Sequence, residues 1–281
     1  MELSCSYVKY FRWFIKNWRH WKNSKYSLAP FFIYLILYPL PRLLFGKRKS
    51  PEVLRSILSL FKDKNLIVPL PIDNFGYYIR IKDSNHFSPL FGIYLEDCYD
   101  QSQLKTGMNV IDIGAHIGMY TVLAAEKVGN TGKVIAIEPE LKNYKQLIEN
   151  IDLNGFKNII SQNIALADYE GSGKLYFGSF SESHSLIFPE DKNSYIEVPV
   201  KTLDNLLEEL NLRKVDIIKI DAEGAEVPIL KGAEKTLKAN PNCKVIVASY
   251  HYPSQIKEVS QFLNDRGFKT KVYKESIITT I

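Results

Sequence analysis

The chain is poor in cysteine. Its three, Cys5, Cys98 and Cys243, lie far apart in 281 residues and form no C-x-x-C pair. A sparse, odd set excludes a disulfide framework and a cysteine zinc site, and it points to a reducing compartment. Long apolar runs are also missing. The most apolar stretch, Leu28–Pro41, is shorter than the ~20 residues that span a bilayer. Pro30, Pro39 and Pro41 interrupt it, and no small-residue cleavage site follows that would mark a signal peptide. Excess positive charge is missing outside the N-terminus. Residues 1–51 hold ten Lys or Arg and one acid, whereas the remaining 230 hold 26 basic and 30 acidic side chains. An acidic body is a poor surface for phosphate backbones, so nucleic acid is not an expected partner.

What is present begins with Val110-Ile-Asp-Ile-Gly-Ala-His-Ile-Gly118. An apolar strand reaches an acid, turns through glycines and opens a helical pattern at Met119. Gly114 and Gly118 allow positive φ and close approach of backbone to a ligand, and the first N–H groups of the helix lack intrahelical partners. The D-x-G-x-x-x-G spacing fits neither the dinucleotide fingerprint nor the P-loop, and no Lys or hydroxyl is placed for phosphate and magnesium. About twenty residues on, Lys133-Val-Ile-Ala-Ile-Glu138 is a second strand ending in an acid, suited to two ribose hydroxyls. A glycine loop, a ribose acid and no phosphate machinery together suit S-adenosylmethionine. His116 lies inside the loop, where its backbone matters more than its ring.

Beyond residue 106, strands and helices alternate as in a doubly wound sheet. Strands are expected at 109–113, 133–138, 158–163, 215–220, 243–249, 268–273 and 276–280, and helices at 118–128, 141–154, 203–211, 226–238 and 254–266. The last two strands are so close that they must pair antiparallel. That gives an α/β class I methyltransferase (Rossmann-like) sheet of seven strands with the last reversed, and it favours S-adenosylmethionine over NAD. Segment 168–200, rich in Gly and Ser, reads as an insertion with one short strand, Lys174–Phe177, and a flexible stretch at 179–185, serving as an acceptor loop. Residues 51–105 read as a helix (Pro51–Lys64) and a hairpin (Leu66–Lys82) capping the catalytic domain, 106–281.

Residues 1–50 form an arm. Tyr7, Phe11, Phe14, Trp18 and Trp21 share one helical face, and Lys9, Arg12, Lys16 and Arg19 the opposite one. That pattern suits a helix lying in an anionic membrane surface, which would make the protein cytoplasmic, peripheral or monotopic on the cytoplasmic face. A second reading packs these aromatics on the catalytic domain or a second subunit, so a homodimer stays open.

The chemistry should sit beyond the strand ends at the switch point between strands one and four, which makes Gly114 and Asp221 neighbours. Val215–Asp221 is followed by Ala-Glu-Gly-Ala-Glu226, and strand five ends in Ser249-Tyr250-His251. Asp221 and Glu223 would face the acceptor. His251 has the ordinary pKa for a base, with Asp221 or Glu223 orienting the hydroxyl or acting instead. Glu226 reads as an acid in the first turn of the next helix. A divalent metal on Asp221 and Glu223 has no third ligand in the sequence.

These pieces, with Asn163-Ile-Ala-Leu-Ala-Asp168, Val200-Lys-Thr-Leu-Asp204 and Lys219–Glu226, resemble the FkbM family of S-adenosylmethionine-dependent methyltransferases over about residues 90–252. The resemblance implies O-methylation, often of sugar hydroxyls. It implies cofactor contacts at Asp112, Gly114, Gly118 and Glu138, with Ala115 and His116 in the same cradle and Asn163, Ile164 and Ala165 bordering the adenine. Asp221 and Glu223 would line the acceptor side. Many members end the fifth strand in Glu-x-His, where this chain has Ser249-Tyr250-His251. The expected function is O-methyltransfer to a sugar or glycolipid acceptor at the membrane. The alternatives are a tRNA methyltransferase, disfavoured by the missing N-P-P-[YF] motif, and a cofactor-binding scaffold.

Overall fold

Asn109-Val-Ile-Asp-Ile113 carries four consecutive buried side chains, the mark of a strand covered on both faces rather than one. Lys133–Ile137, Ile217–Ile220 and Lys244–Ala248 repeat that pattern. The computed structural model describes residues 66–70, 76–83, 86–94, 96–179, 181 and 183–280. The arm and the helix expected at 51–64 lie outside the described residues. Among the described residues, no helix is long and apolar enough to cross a membrane.

The chain divides between Asp97 and Cys98. In the first unit, β1 (Leu66–Pro69) and β2 (Tyr78–Ile81) form the expected antiparallel hairpin, followed by α1 (Phe87–Tyr94). The second unit opens with a 3-10 turn (Gln101–Gln103). It continues through β3 (Asn109–Ile113), α2 (Met119–Val128), β4 (Lys133–Ile137), α3 (Leu141–Asn154), β5 (Ile159–Gln162), β6 (Ala165–Leu166), β7 (Gly171–Tyr176) and β8 (Tyr195–Lys201). Then come α4 (Leu203–Glu209), β9 (Ile217–Ile220), α5 (Glu226–Lys231), α6 (Glu234–Ala239), β10 (Lys244–Ala248), α7 (Gln255–Asn264), β11 (Lys269–Tyr273) and β12 (Ser276–Thr280).

The seven-stranded sheet has the order β11-β12-β10-β9-β3-β4-β5. β3, β4, β5, β9 and β10 run parallel, and β12 lies antiparallel between β10 and β11. The strand order therefore reverses between β3 and β9. Ile111, Ile135, Ile218 and Val245 are fully buried in one apolar cluster with α4, α5 and α7. Each such side chain contributes roughly 1.5–3 kcal/mol.

Two expectations differ from the structure. The single helix over 226–238 is two, α5 and α6, because Asp204 intervenes. Its N–H donates to the Gly232 carbonyl at 3.0 Å, and its carboxylate accepts from the Lys235 and Thr236 N–H groups at 2.9 and 2.8 Å. Those bonds start a new helix where the old one would have continued. The insertion at 168–200 is not mainly loop. β7 pairs antiparallel with β8, and β8 parallel with β6, in a separate three-stranded sheet, which leaves the loop proper at 177–194.

Candidate active site

β3, β4, β9 and β10 end along one edge, and the loops after them build the site. Leaving β3, the N–H groups of Gly114 and Ala115 both donate to the Ile137 carbonyl, at 3.0 and 2.9 Å. Gly114 has φ +73°, and a Cβ there would lie 1.8 Å from the Asp221 carbonyl oxygen. Gly118 has φ +92°, and its Cβ would lie 2.6 Å from Leu147 Cδ1. The Gly114 position is thus demanded by the Asp221 backbone, in addition to the left-handed φ that both glycines adopt. Gly114 and Asp221 are adjacent, as the switch-point argument requires.

Asp112 lies behind the loop. It is fully buried, accepts from Thr121 Oγ1 at 2.6 Å and faces Lys219 Nζ at 3.1 Å. Lys219 Nζ also donates to the Gly114 carbonyl at 2.9 Å. Burial opposes the ammonium, but the charges of Asp112 and Asp221 outweigh it and raise its pKa. The pair clamps the loop from behind, so Asp112 supports the cradle without lining it. Ala115 likewise packs inward, with Ala136, Leu147 and Ile151.

At the tip of β4, Glu138 is 6% exposed. Its carboxylate accepts from the His116 N–H at 2.8 Å and the Glu140 N–H at 3.0 Å. Burial pushes its pKa up to about 7 although both N–H groups act to lower it. A carboxylate has about four acceptor positions, and with the Asn143 side chain also bonded to it about one remains for a ribose hydroxyl. The residues present fit the ribose of S-adenosylmethionine in this respect. His116 sits at φ +51°, and its Nε2 lies 3.1 Å from Ser181 Oγ. Asn163 donates to the Glu138 and Pro139 carbonyls at 2.8 and 3.0 Å, holding the tip in place. Ile164 packs in the main core and Ala165 in the small sheet, so neither side chain is directed to a ligand.

The loop after β9 carries the acids. Asp221 Oδ2 accepts from Tyr99 Oη at 2.5 Å, and Oδ1 lies 3.4 Å from both Tyr250 Oη and His251 Nε2. Glu223, at φ +50°, places Oε1 3.2 Å from the same Nε2. Glu226 is fully buried. Its Oε1 accepts from the Ala222 and Gly224 N–H groups at 3.0 and 3.2 Å and sits 3.2 Å from His251 Nδ1. Its Oε2 accepts from Gln255 Nε2 at 2.6 Å.

Three carboxylates therefore surround one imidazole. Burial disfavours the charged ring, but Asp221, Glu223 and Glu226 override it and hold its pKa up at about 12. Neither oxygen beside Nε2 lies in line for an ordinary hydrogen bond, so charge rather than direction holds the ring there. Burial acts to raise Asp221, but His251 and Lys219 bring it well below the usual carboxylate range. Burial and the Asp221 charge raise Glu223. The three carboxylates thus favour the charged form of His251, which weighs against its expected role as a base. Asp221, Glu226 and His251 offer ligand atoms within 4.8 Å of one another. Glu226 already accepts from three protein N–H groups.

Sequence reasoning missed Tyr99, Tyr250, Lys219 and Gln255. Lys219 was visible as a lone cation in an apolar strand, and Tyr250 as the neighbour of His251. Nothing near residue 99 in the sequence points to Asp221.

Residues 112–270 match the methyltransferase FkbM domain. The chain belongs to the FkbM methyltransferase family. It is an S-adenosylmethionine-dependent methyltransferase, and the scaffold alternative falls with that. Among its relatives, methyltransferase sdnD of Sordaria araneosa is 26% identical over 231 residues, covering 70% of this chain and 86% of that one. Hexuronic acid methyltransferase AglP of Haloferax volcanii is 22% identical over 195 residues, covering 69% and 75%. A crystal structure of a methyltransferase FkbM from Methylobacillus flagellatus has a TM-score of 0.47 and 15% identity, over 70% of this chain and 54% of that one. The chain thus spans about half the length of that FkbM protein.

Proposed function

We propose that this FkbM methyltransferase transfers a methyl group to a hydroxyl of a sugar in a lipid-linked or surface glycan, working at the cytoplasmic face of a membrane. The observation that carries the reading is the arrangement of Asp221 and Glu223 around the His251 imidazole at the switch-point edge. An amine acceptor arrives with its own lone pair, whereas a hydroxyl must lose a proton, and a carboxylate of raised pKa is suited to take it.

S-adenosylmethionine supplies a methyl on a sulfonium centre, already activated. The protein's part is to position and deprotonate. Glu223 takes the hydroxyl proton on a carboxylate oxygen, Asp221 holds the acceptor, and His251 stays charged and fixes both acids. Glu138 holds the ribose. The hexuronic acid acceptor named for AglP is a sugar, in line with this substrate class, and the basic, aromatic arm at 1–50 suits anionic headgroups.

The test is mass spectrometry of uronic-acid and hexose glycolipids incubated with the protein and S-adenosylmethionine. A one-methyl increment on a sugar hydroxyl is expected. Tight cofactor binding with no sugar methylated would sink the proposal.

A further inference from the structure

Phe188 lies 46% exposed at the rim of the acid loop. Exposed aromatic rings are ordinary, but this one is fixed from several sides. Ser185, 3% exposed, donates its hydroxyl to the Glu223 carbonyl at 2.6 Å and accepts from the Ile187 and Phe188 N–H groups at 3.1 and 3.0 Å. That buried hydroxyl ties the backbone before the ring to the loop bearing Asp221 and Glu223. The ring then presses on Gly224, where a Cβ would stand 2.2 Å from Phe188 Cε2. Its other flank meets Tyr252 edge-on, at a 5.4 Å centroid distance and 61°, and Tyr252 is itself held by Glu258 at 3.0 Å.

The ring thus stands between the loops after β9 and β10, which carry Glu223 and His251. Held on both flanks, the ring still keeps nearly half its surface open beside the acid loop, where a ligand face can stack on it. Asp221, Glu223 and His251 offer charge but no flat apolar surface, and a sugar ring presents both hydroxyls and a face of C–H groups.

We propose that Phe188, braced by Tyr252 and Gly224, is the acceptor-positioning wall. It stacks on the C–H face of the acceptor sugar so that one hydroxyl meets Glu223. This rests on the sugar-methyltransferase reading above and adds the residue that selects the ring.

The experiment compares wild type with Phe188→Ala, Phe188→Leu and Phe188→Trp on a glycolipid acceptor that the wild type methylates. Phe188→Ala and Phe188→Leu should raise the acceptor KM about tenfold, with kcat within twofold and the Kd for S-adenosylhomocysteine unchanged. Phe188→Trp should keep the wild-type KM. An unchanged KM in Phe188→Leu would overturn the wall, since leucine keeps apolarity and removes the flat face. If the alanine variant loses S-adenosylhomocysteine binding, its fold has failed, and the leucine and tryptophan pair decides. A wild type that methylates no sugar overturns the parent reading, and the wall with it, before any variant is measured.

Discussion

Tyr99 donates its hydroxyl to Asp221 across 122 residues of sequence, at 2.5 Å. The phenol is buried, and burial together with the Asp221 charge raises its pKa well above the ordinary value, so it remains a donor at any working pH. A hydrogen bond to a charged group contributes about 1.5–3 kcal/mol. Tyr99→Phe should lower unfolding stability by that amount and turnover about tenfold, with the Kd for S-adenosylhomocysteine unchanged. Wild-type turnover in this variant would mean that Tyr250 and His251 hold Asp221 without help.

Two glycines separate strain from collision. At Gly155 (φ +69°) a Cβ would meet nothing within 4 Å, whereas at Gly114 (φ +73°) it would lie 1.8 Å from the Asp221 carbonyl oxygen. Gly155→Ala should cost about 1–2 kcal/mol, the left-handed penalty alone. Gly114→Ala should cost several kcal/mol more and abolish cofactor binding, because the two strand tips must part. Urea denaturation of both variants measures the difference, and equal losses would refute the packing argument.

The pKa of Glu138 is raised from 4.5 to about 7. A raised acid holds its proton in the folded state where the unfolded chain has lost it. The stability of the free protein therefore falls as pH rises from about 4.5 through 7, by on the order of 3 kcal/mol. A ribose hydroxyl donates to the ionised form, so S-adenosylhomocysteine affinity should rise over the same window with release of a proton below pH 7. Calorimetry in buffers of different ionisation enthalpy reads that proton. Glu138→Gln should flatten both profiles.

For His251 the signs differ. Its folded pKa of about 12 exceeds the ordinary 6.5. The stability it contributes is complete below pH 6.5 and is lost as pH rises towards 12. The depressed pKa of Asp221 adds a contribution present above about pH 4 and lost in acid. At saturating S-adenosylmethionine, where Glu138 no longer limits binding, the pH profile of kcat/KM for the acceptor should show no His251 inflection at 6.5. His251→Gln, which leaves three carboxylates without their counter-charge, should lower turnover on the order of 100-fold. An inflection near 6.5 that vanishes in His251→Gln would restore the histidine as base.

Deletion of residues 1–50 should release the protein from anionic vesicles while S-adenosylhomocysteine binding persists. Sedimentation with vesicles of phosphatidylserine and phosphatidylcholine checks this. Continued co-sedimentation of the truncated chain would place the membrane contact elsewhere.

The alternation that buries both faces of β3, β4, β9 and β10 was legible because period and length are written locally. So was the reversed last strand, since Tyr273 and Ser276 leave no room for a crossover. Tyr-Ile-Glu-Val-Pro-Val-Lys201 also alternates, and its Val198 and Val200 are buried in β8, yet among the glycines before it only the short strand at Lys174–Phe177 is legible. The split between α5 and α6 depends on Asp204, thirty residues earlier in the chain. At the site, residue types were readable but charge states were not. A histidine at a strand end reads as a base until its neighbours are counted, and those neighbours come from the turn after a different strand. Asp112 carries the same lesson, because its partner Lys219 enters only when β9 docks beside β3.

The 177–194 loop touches both halves of the edge. Ser181 meets His116 and accepts from Asn143 at 2.9 Å, while Ser185 is bonded to Glu223. Any ligand that shifts this segment at one end biases its equilibrium at the other, and thermodynamic linkage makes that bias mutual. The factor by which an acceptor tightens S-adenosylhomocysteine must equal the factor by which S-adenosylhomocysteine tightens the acceptor. A single loop would then make the two substrates each other's effector.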